Sequence, residues 1–270
     1  MSDYEVFPAR LSWSDAVDDV AAAGIDSRVL RLVSKPKNFS VLPNLRKLTA
    51  LWCFDINEDS LEIIAQCPTI KRLYIDGLKA KDLMALARLP ALEVLSLESN
   101  SKVTDLNPLE SQYGLKGLGV VSFRNLHSIE KISELRELRS LALSGSMWTR
   151  MTIDMLEPLS ELTHLEDLDL SNLKVKDDSL RALGGLKQLR NLNVANFYPL
   201  EEFAWLSSRL RNTKCTWFEP YIDFDYQSCK KCGNRSMVML SGRGTSTLCK
   251  LCDNLRLTKH IDKFNKAAEN

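Results

Sequence analysis

The sequence has no run of about 18 apolar residues free of charge, which is what a helix needs to cross a bilayer. No membrane-spanning helix and no membrane partner are therefore expected. Neither sign of charge is in excess: 36 Lys and Arg stand against 35 Asp and Glu, a net of +1. That balance argues against a chain whose whole surface binds nucleic acid. Low net charge with 44% apolar residues also argues against disorder. Met1 to Phe7 carries two acids and no apolar stretch, so no secretory signal is expected. No Gly-rich phosphate loop, nucleophile elbow or His-Glu metal helix occurs. The three histidines, His127, His164 and His260, are scattered. A non-enzymatic chain is expected.

Leucine is what the chain has in plenty: 45 residues, one in six. Seven segments follow the pattern Leu-x-x-Leu-x-Leu-x-x-(Asn or equivalent). They are Leu45 to Cys53, Ile70 to Leu78, Leu92 to Asn100, Leu118 to Leu126, Leu138 to Ser146, Leu165 to Leu173 and Leu189 to Phe197. Their starts lie 25, 22, 26, 20, 27 and 24 residues apart, a repeat period of solenoid type. Within each segment the fourth and sixth positions are apolar, so they share one face of a short strand. Asp59 to Gln66, Asp82 to Arg88 and Asp177 to Leu183 change to helical spacing, each opening on an Asp suited to an N-cap. One strand and one helix cannot bury their own apolar faces, so the repeats must stack.

Residues 45 to about 212 thus resemble a leucine-rich-repeat domain. The early repeats resemble its cysteine-containing subtype, with Cys53 at the ladder position and Cys67-Pro68 before the next strand. The resemblance implies an α/β solenoid: a leucine-rich-repeat horseshoe with about seven repeats, which binds a protein partner on its concave face. Residues 1–44 are read as an N-terminal cap, in which Ser14 to Ala23 is a capping helix and Arg28 to Val33 a degenerate zeroth repeat. Residues 45–218 form the repeat domain with its C-terminal cap. That cap holds a helix over Glu201 to Arg211 and a closing strand over Thr213 to Phe218. The segment alignment puts Thr49, Tyr74, Ser96, Ser122, Ala142, Asp169 and Asn193 in one outward column. Leu51, Asp76, Glu98, Arg124, Ser144, Ser171 and Ala195 form the next. From these columns and the adjacent Trp52, the candidate partner-binding residues are Trp52, Tyr74, Asp76, Glu98, Arg124, Asp169 and Asn193. Trp, Tyr and Arg are the types that dominate interface energetics.

Four of the seven cysteines form two Cys-x-x-Cys pairs, Cys229 with Cys232 and Cys249 with Cys252, separated by sixteen residues. This spacing is a metal signature. Four thiolates close a tetrahedral site with no open position, so one structural zinc ion is the expected cofactor, with iron as the second option. Ser236 to Leu240 and Thr245 to Leu248 read as two strands joined by a Gly-containing turn. Residues 229–270 therefore resemble a zinc ribbon with a terminal helix over Asp253 to Ala268, a small C-terminal module joined by a connector at 219–228. Cysteines arranged for metal rather than disulfides fit a reducing, cytoplasmic setting. Cys53, Cys67 and Cys215 read as packed interior residues.

Charge divides the chain. Residues 229–270 hold nine Lys or Arg against three acids, and residues 1–228 hold 27 against 32. Lys230, Lys231, Arg235, Arg243 and Lys250 could contact phosphate. The module has no aromatic residue but Phe264, so base stacking has little to work with. The first functional expectation is a protein-recognition scaffold with a structural zinc module. The alternatives are a nucleic-acid-associated factor using the basic ribbon, and a target-recognition subunit of a larger enzyme complex.

Overall fold

The computed structural model describes residue 6, residues 15–224 and residues 226–269. Its strands are β1 Val17–Asp19, β2 Val29–Lys37, β3 Ala50–Phe54, β4 Arg72–Asp76, β5 Val94–Asn100, β6 Gly117–Phe123 and β7 Ser140–Ser144. They continue with β8 Met151–Ile153, β9 Asp167–Leu170, β10 Leu173–Val175, β11 Asn191–Val194, β12 Tyr221–Asp223, β13 Met237–Leu240 and β14 Thr247–Cys249. The α-helices are α1 Glu58–Ile64, α2 Leu200–Arg209 and α3 Asn254–Glu269. Nine strands form one sheet in the order β1-β2-β3-β4-β5-β6-β7-β9-β11, with neighbours parallel. Each strand reaches the next through a right-sized loop whose leucines turn inward, and the leucines of all turns merge into one continuous core. This is an α/β solenoid.

A backbone ladder sets its register. The amide of Thr49 donates to the Arg28 carbonyl, and the same step recurs from Lys71, Glu93, Lys116, Arg139, Glu166, Arg190 and Lys214, each to the residue before it in that series, at 2.7–2.8 Å. Leu51 pairs with Leu73, and Leu95 with Leu118. The first repeat therefore starts at Leu48 rather than Leu45, and the fourth at Leu115 rather than Leu118. The intervals between starts become 22, 22, 23, 23, 27 and 24 residues. Both slips have one cause. Leucines three apart at 45, 48 and 51, and at 115 and 118, let Leu-x-x-Leu fit in two places. Cys53 accordingly sits at the sixth position, opposite Ile75, and Ile56 takes the ladder position. Asn100 does hold that position. It is 3% exposed, donates to the carbonyls of Leu78 and Ala80, and accepts from the amides of Lys102 and Val103.

Most convex turns are 3₁₀ rather than α. Met84–Arg88, Glu130–Glu134, Glu157–Glu161 and Arg181–Gly185 are all 3₁₀. Their apolar residues fall every third position, as in Leu156, Leu159, Leu162 and Leu165, each at most 1% exposed. That period matches the three residues per turn of a 3₁₀ helix. Asp82 and Asp177 are not the N-caps expected of them: those positions are Leu83 and Leu180, which make no side-chain cap bond, while the two carboxylates accept from the amides two residues on, at Met84 and Ser179. In the α-helical turn the cap is Asn57, accepting from Ser60, and not Asp59.

The ends differ from expectation. Of the expected capping helix, Ser14 lies outside the described residues. Residues 15–23 form β1 and a 3₁₀ turn at Val20–Ala22. Val20, fully buried, still closes the core. The Arg28 to Val33 segment does join the sheet, as part of β2. At the other end α2 buries Phe203, Ala204 and Leu206. Thr213 to Phe218 gives one bridge, Lys214 to Asn191, and a 3₁₀ turn in place of a strand. The connector supplies β12, which pairs antiparallel with β13, itself antiparallel to β14.

Candidate metal centre and concave face

The ribbon brings all four cysteines together, with their sulfurs within 4.8 Å of one another. The Sγ atoms of Cys229 and Cys252 stand 3.9 Å apart, and those of Cys232 and Cys249 3.8 Å. These are free thiols, not disulfides. A tetrahedron with Zn–S bonds of about 2.3 Å has an edge of about 3.8 Å, so the donor set and its spacing fit a four-thiolate ion. Two knuckles build it. Gly233, at φ +75°, donates to the Cys229 carbonyl, and the Cys229 amide donates to Asn234. On the second knuckle the Asp253 carboxylate accepts from the Cys249 amide at 3.2 Å and pairs with Lys231 at 2.9 Å, tying the two knuckles together. Backbone amides of Cys232 and Lys231 pull the Cys229 thiol down to about 7. Hydrogen bonding to Cys232, with burial, pushes Cys252 up to about 12. Four crowded thiols cannot all ionise without a cation among them, which is the condition a bound metal removes.

The corrected register redraws the concave face. Its central column is Arg31, Trp52, Tyr74, Ser96, Gly119, Ala142, Asp169 and Asn193. Trp52 thus belongs to this column where Thr49 was expected, and Gly119 replaces Ser122. Trp52 and Tyr74 stack with centroids 4.6 Å apart and planes 4° from parallel. The Arg31 guanidinium lies 5.3 Å from the Trp52 ring. In the next column Asp76 and Glu98 are in register on adjacent strands. Burial raises the pKa of both, and each has a like charge beside it: Asp55 for Asp76, and Asp76 for Glu98. Arg124 is not on a strand face. It sits in the turn after β6, exposed, and shares a cleft of about 300 Å³ with Glu98, Ser122, Ser146 and Thr149. Val121 takes the column position expected for Arg124. At the far end Asn193 donates to Asp169 at 3.2 Å.

Solved structures contain the same stacked arrangement. An internalin C2 from Listeria monocytogenes matches with a TM-score of 0.50 and 20% identity, over 62% of this chain and 73% of that one. The fold is the leucine-rich-repeat solenoid. An internalin (inlF) from the same organism matches with a TM-score of 0.48 and 17% identity, over 68% of this chain and 65% of that one. The PEPR1–AtPEP1 structure gives 0.49 and 16%, over 68% of this chain and 27% of that one. No protein-family model matches the chain, and no curated protein matches its sequence.

The ribbon is docked on the last leucine-rich repeat. Asn196 donates to the Leu240 carbonyl at 3.0 Å and accepts from the Gly242 amide at 2.7 Å. The Arg243 amide donates to Tyr198, and its side chain pairs with Asp178. Lys263 pairs with Glu201 at 2.8 Å, and Phe264 of α3 enters the repeat core. Of the five basic candidates, Lys231, Arg243 and Lys250 are ion-paired, Lys250 with Asp223. Lys230 and Arg235 are exposed. Cys53 and Cys67 are buried and Cys215 half-buried. Burial raises the thiol pKa of all three, to about 11 for Cys67 and Cys215. Met147 and Trp148, 85% and 89% exposed, escaped the sequence reading. Their signal was the 27-residue interval: the extra residues form the loop that displays them. Among the described residues no helix is long and apolar enough to cross a membrane.

Proposed function

We propose that the chain is a non-enzymatic recognition scaffold that binds a protein partner through its concave face. The observation that carries this reading is the Arg31–Trp52–Tyr74 stack beside the acidic pair Asp76 and Glu98. Arg, Trp and Tyr are the residues that anchor interfaces. The Trp52 indole N–H and the Arg31 Nε are buried with no hydrogen-bond partner among the described residues. The two acids lose stability by facing each other, and a partner's Lys or Arg would relieve that repulsion. The partner is therefore a protein segment offering at least one basic side chain.

The ribbon holds one structural zinc ion on Cys229, Cys232, Cys249 and Cys252 and closes the C-terminal end of the solenoid. Intramolecular pairing of Lys231, Arg243 and Lys250 supports this role over phosphate binding. Unpaired thiols at Cys53, Cys67 and Cys215 agree with a reducing cytoplasm.

The test uses matched baits. The full chain and its Asp76→Lys, Glu98→Lys double variant are used to recover partners from the source cell. The partner captured by the wild type should bind the variant at least about tenfold more weakly, equivalent to about 1.4 kcal/mol. Equal binding by a folded variant would remove the concave face from the reading.

A further inference from the structure

An open solenoid should bury one side of each strand and leave the other to water. β9 and β11 do this: Leu168, Leu170, Leu192 and Val194 are buried, and Asp167, Asp169, Asn191 and Asn193 are not. β7 does not. All five of its residues are buried, the outward Ser140, Ala142 and Ser144 included. On β6 the outward Val121 is likewise only 8% exposed. The middle of the concave face is therefore covered.

Among the described residues, Val6 packs on this face. It is 4% exposed and packs with Val94 and Ala142, against Tyr74, in an apolar cluster separate from the main core. The central column makes room for it. Ser96, Gly119 and Ala142 are small, between the large Tyr74 on one side and Asp169 on the other. A β-carbon added at Gly119 would stand 3.2 Å from the Val6 β-carbon and 3.1 Å from the Ser96 hydroxyl. Glycine at 119 clears a notch the width of one branched aliphatic side chain.

We infer that this notch is a subsite for a single small aliphatic side chain, and that Val6 of the same chain is its resident occupant. A partner engages the middle of the concave face by displacing it. Covalent attachment favours the resident: Val6 belongs to the same chain, eight residues before Asp15, so it competes intramolecularly with any partner. A notch closed 99% of the time weakens any competing segment about a hundredfold. The inference rests on the concave face being the binding surface. Its test needs no partner, so its failure leaves the partner-binding reading standing.

The probe is a fluorescent synthetic peptide with the sequence of residues 1–14, titrated by anisotropy into the full zinc-loaded chain. Val6→Asp places a charge in an apolar notch and empties it. The peptide should bind this variant at least tenfold more tightly than it binds the wild type. A peptide carrying the same Val6→Asp change should not bind. Adding Gly119→Leu to the Val6→Asp chain fills the notch and should abolish binding, and Ala142→Leu is the second filling variant should Gly119→Leu fail to fold. Equal binding to the wild type and to Val6→Asp, absence of binding to both, or undiminished binding to a folded notch-filled variant would each overturn the inference.

Discussion

Single residues carry more of this fold than their types suggest. Asn100 alone satisfies four backbone groups at a ladder position that other repeats fill with Ile56, Leu78 or Phe123. Gly145 is a second case. A β-carbon there would stand 2.7 Å from the Asn172 carbonyl oxygen and 2.9 Å from the Met151 amide nitrogen. Backbone cannot yield as a side-chain tip can. Gly145→Ala is therefore expected to cost about 2 kcal/mol, the range of a forced overpacking, read as a lowered denaturant midpoint. At this scale the gathering of Cys229, Cys232, Cys249 and Cys252 into one cluster was legible, because Cys-x-x-Cys spacing is local. Asp253 was not legible. It reads as one more acid on a basic module, and only the fold brings its carboxylate to the Cys249 amide and to Lys231. Trp52 stands out in the sequence by residue type alone, and inter-strand pairing puts it on the central column.

At the scale of elements, leucine spacing decided helix type. A period of three at 156, 159, 162 and 165 winds a 3₁₀ turn, whereas Leu61, Ile64 and Ala65, spaced by three and four, support an α-helix. The strand pattern was legible in kind but not in register, since a motif of leucines three apart matches itself when slid by three. Inter-strand pairing removed that ambiguity. α3 shows what packing adds. Its His260 Nε2 donates to the Pro220 carbonyl at 2.9 Å, and burial lowers the pKa of the ring from 6.5. The unfolded chain thus binds a proton more readily than the folded one. This contribution to stability is complete above about pH 6.5 and is lost as pH falls below it. The melting midpoint should drop between pH 7 and 5.5. His260→Gln, which keeps a donor for Pro220 but does not titrate, should flatten that drop; an unchanged profile would show that His260 is not the group responsible.

Beside the small Val6 cluster, the described residues form two cores of unequal size. One runs from Val20 to Phe264 through every repeat, and the other is the small set Val238, Leu240, Leu248 and Leu257 of the ribbon. The first is large enough to stand without metal. The second is not, and a bound zinc ion contributes roughly 10–16 kcal/mol of apparent binding energy to such a module. Elemental analysis should therefore give one zinc per chain, and none after Cys249→Ser. In that variant amide exchange should accelerate across residues 229–252, while the repeats keep their protection. A metal-free ribbon that stays folded would contradict the assignment. Charge acts on the same scale. The near-zero total conceals an acidic solenoid and a basic module, and Arg243 to Asp178 and Lys263 to Glu201 join them.

Periodicity and thiol spacing are local properties, so the sequence by itself determined that the chain is a leucine-rich solenoid ending in a four-cysteine module. Everything that depends on which residues meet across long loops belonged to the tertiary structure. It decided the register of two repeats, the recruitment of the connector as β12, the docking of the ribbon through Asn196 and Gly242, and the seating of Val6 beside Gly119. The physical reason is that a solenoid's core is written in a repeating pattern, whereas its faces and ends are made by unique contacts that no period encodes.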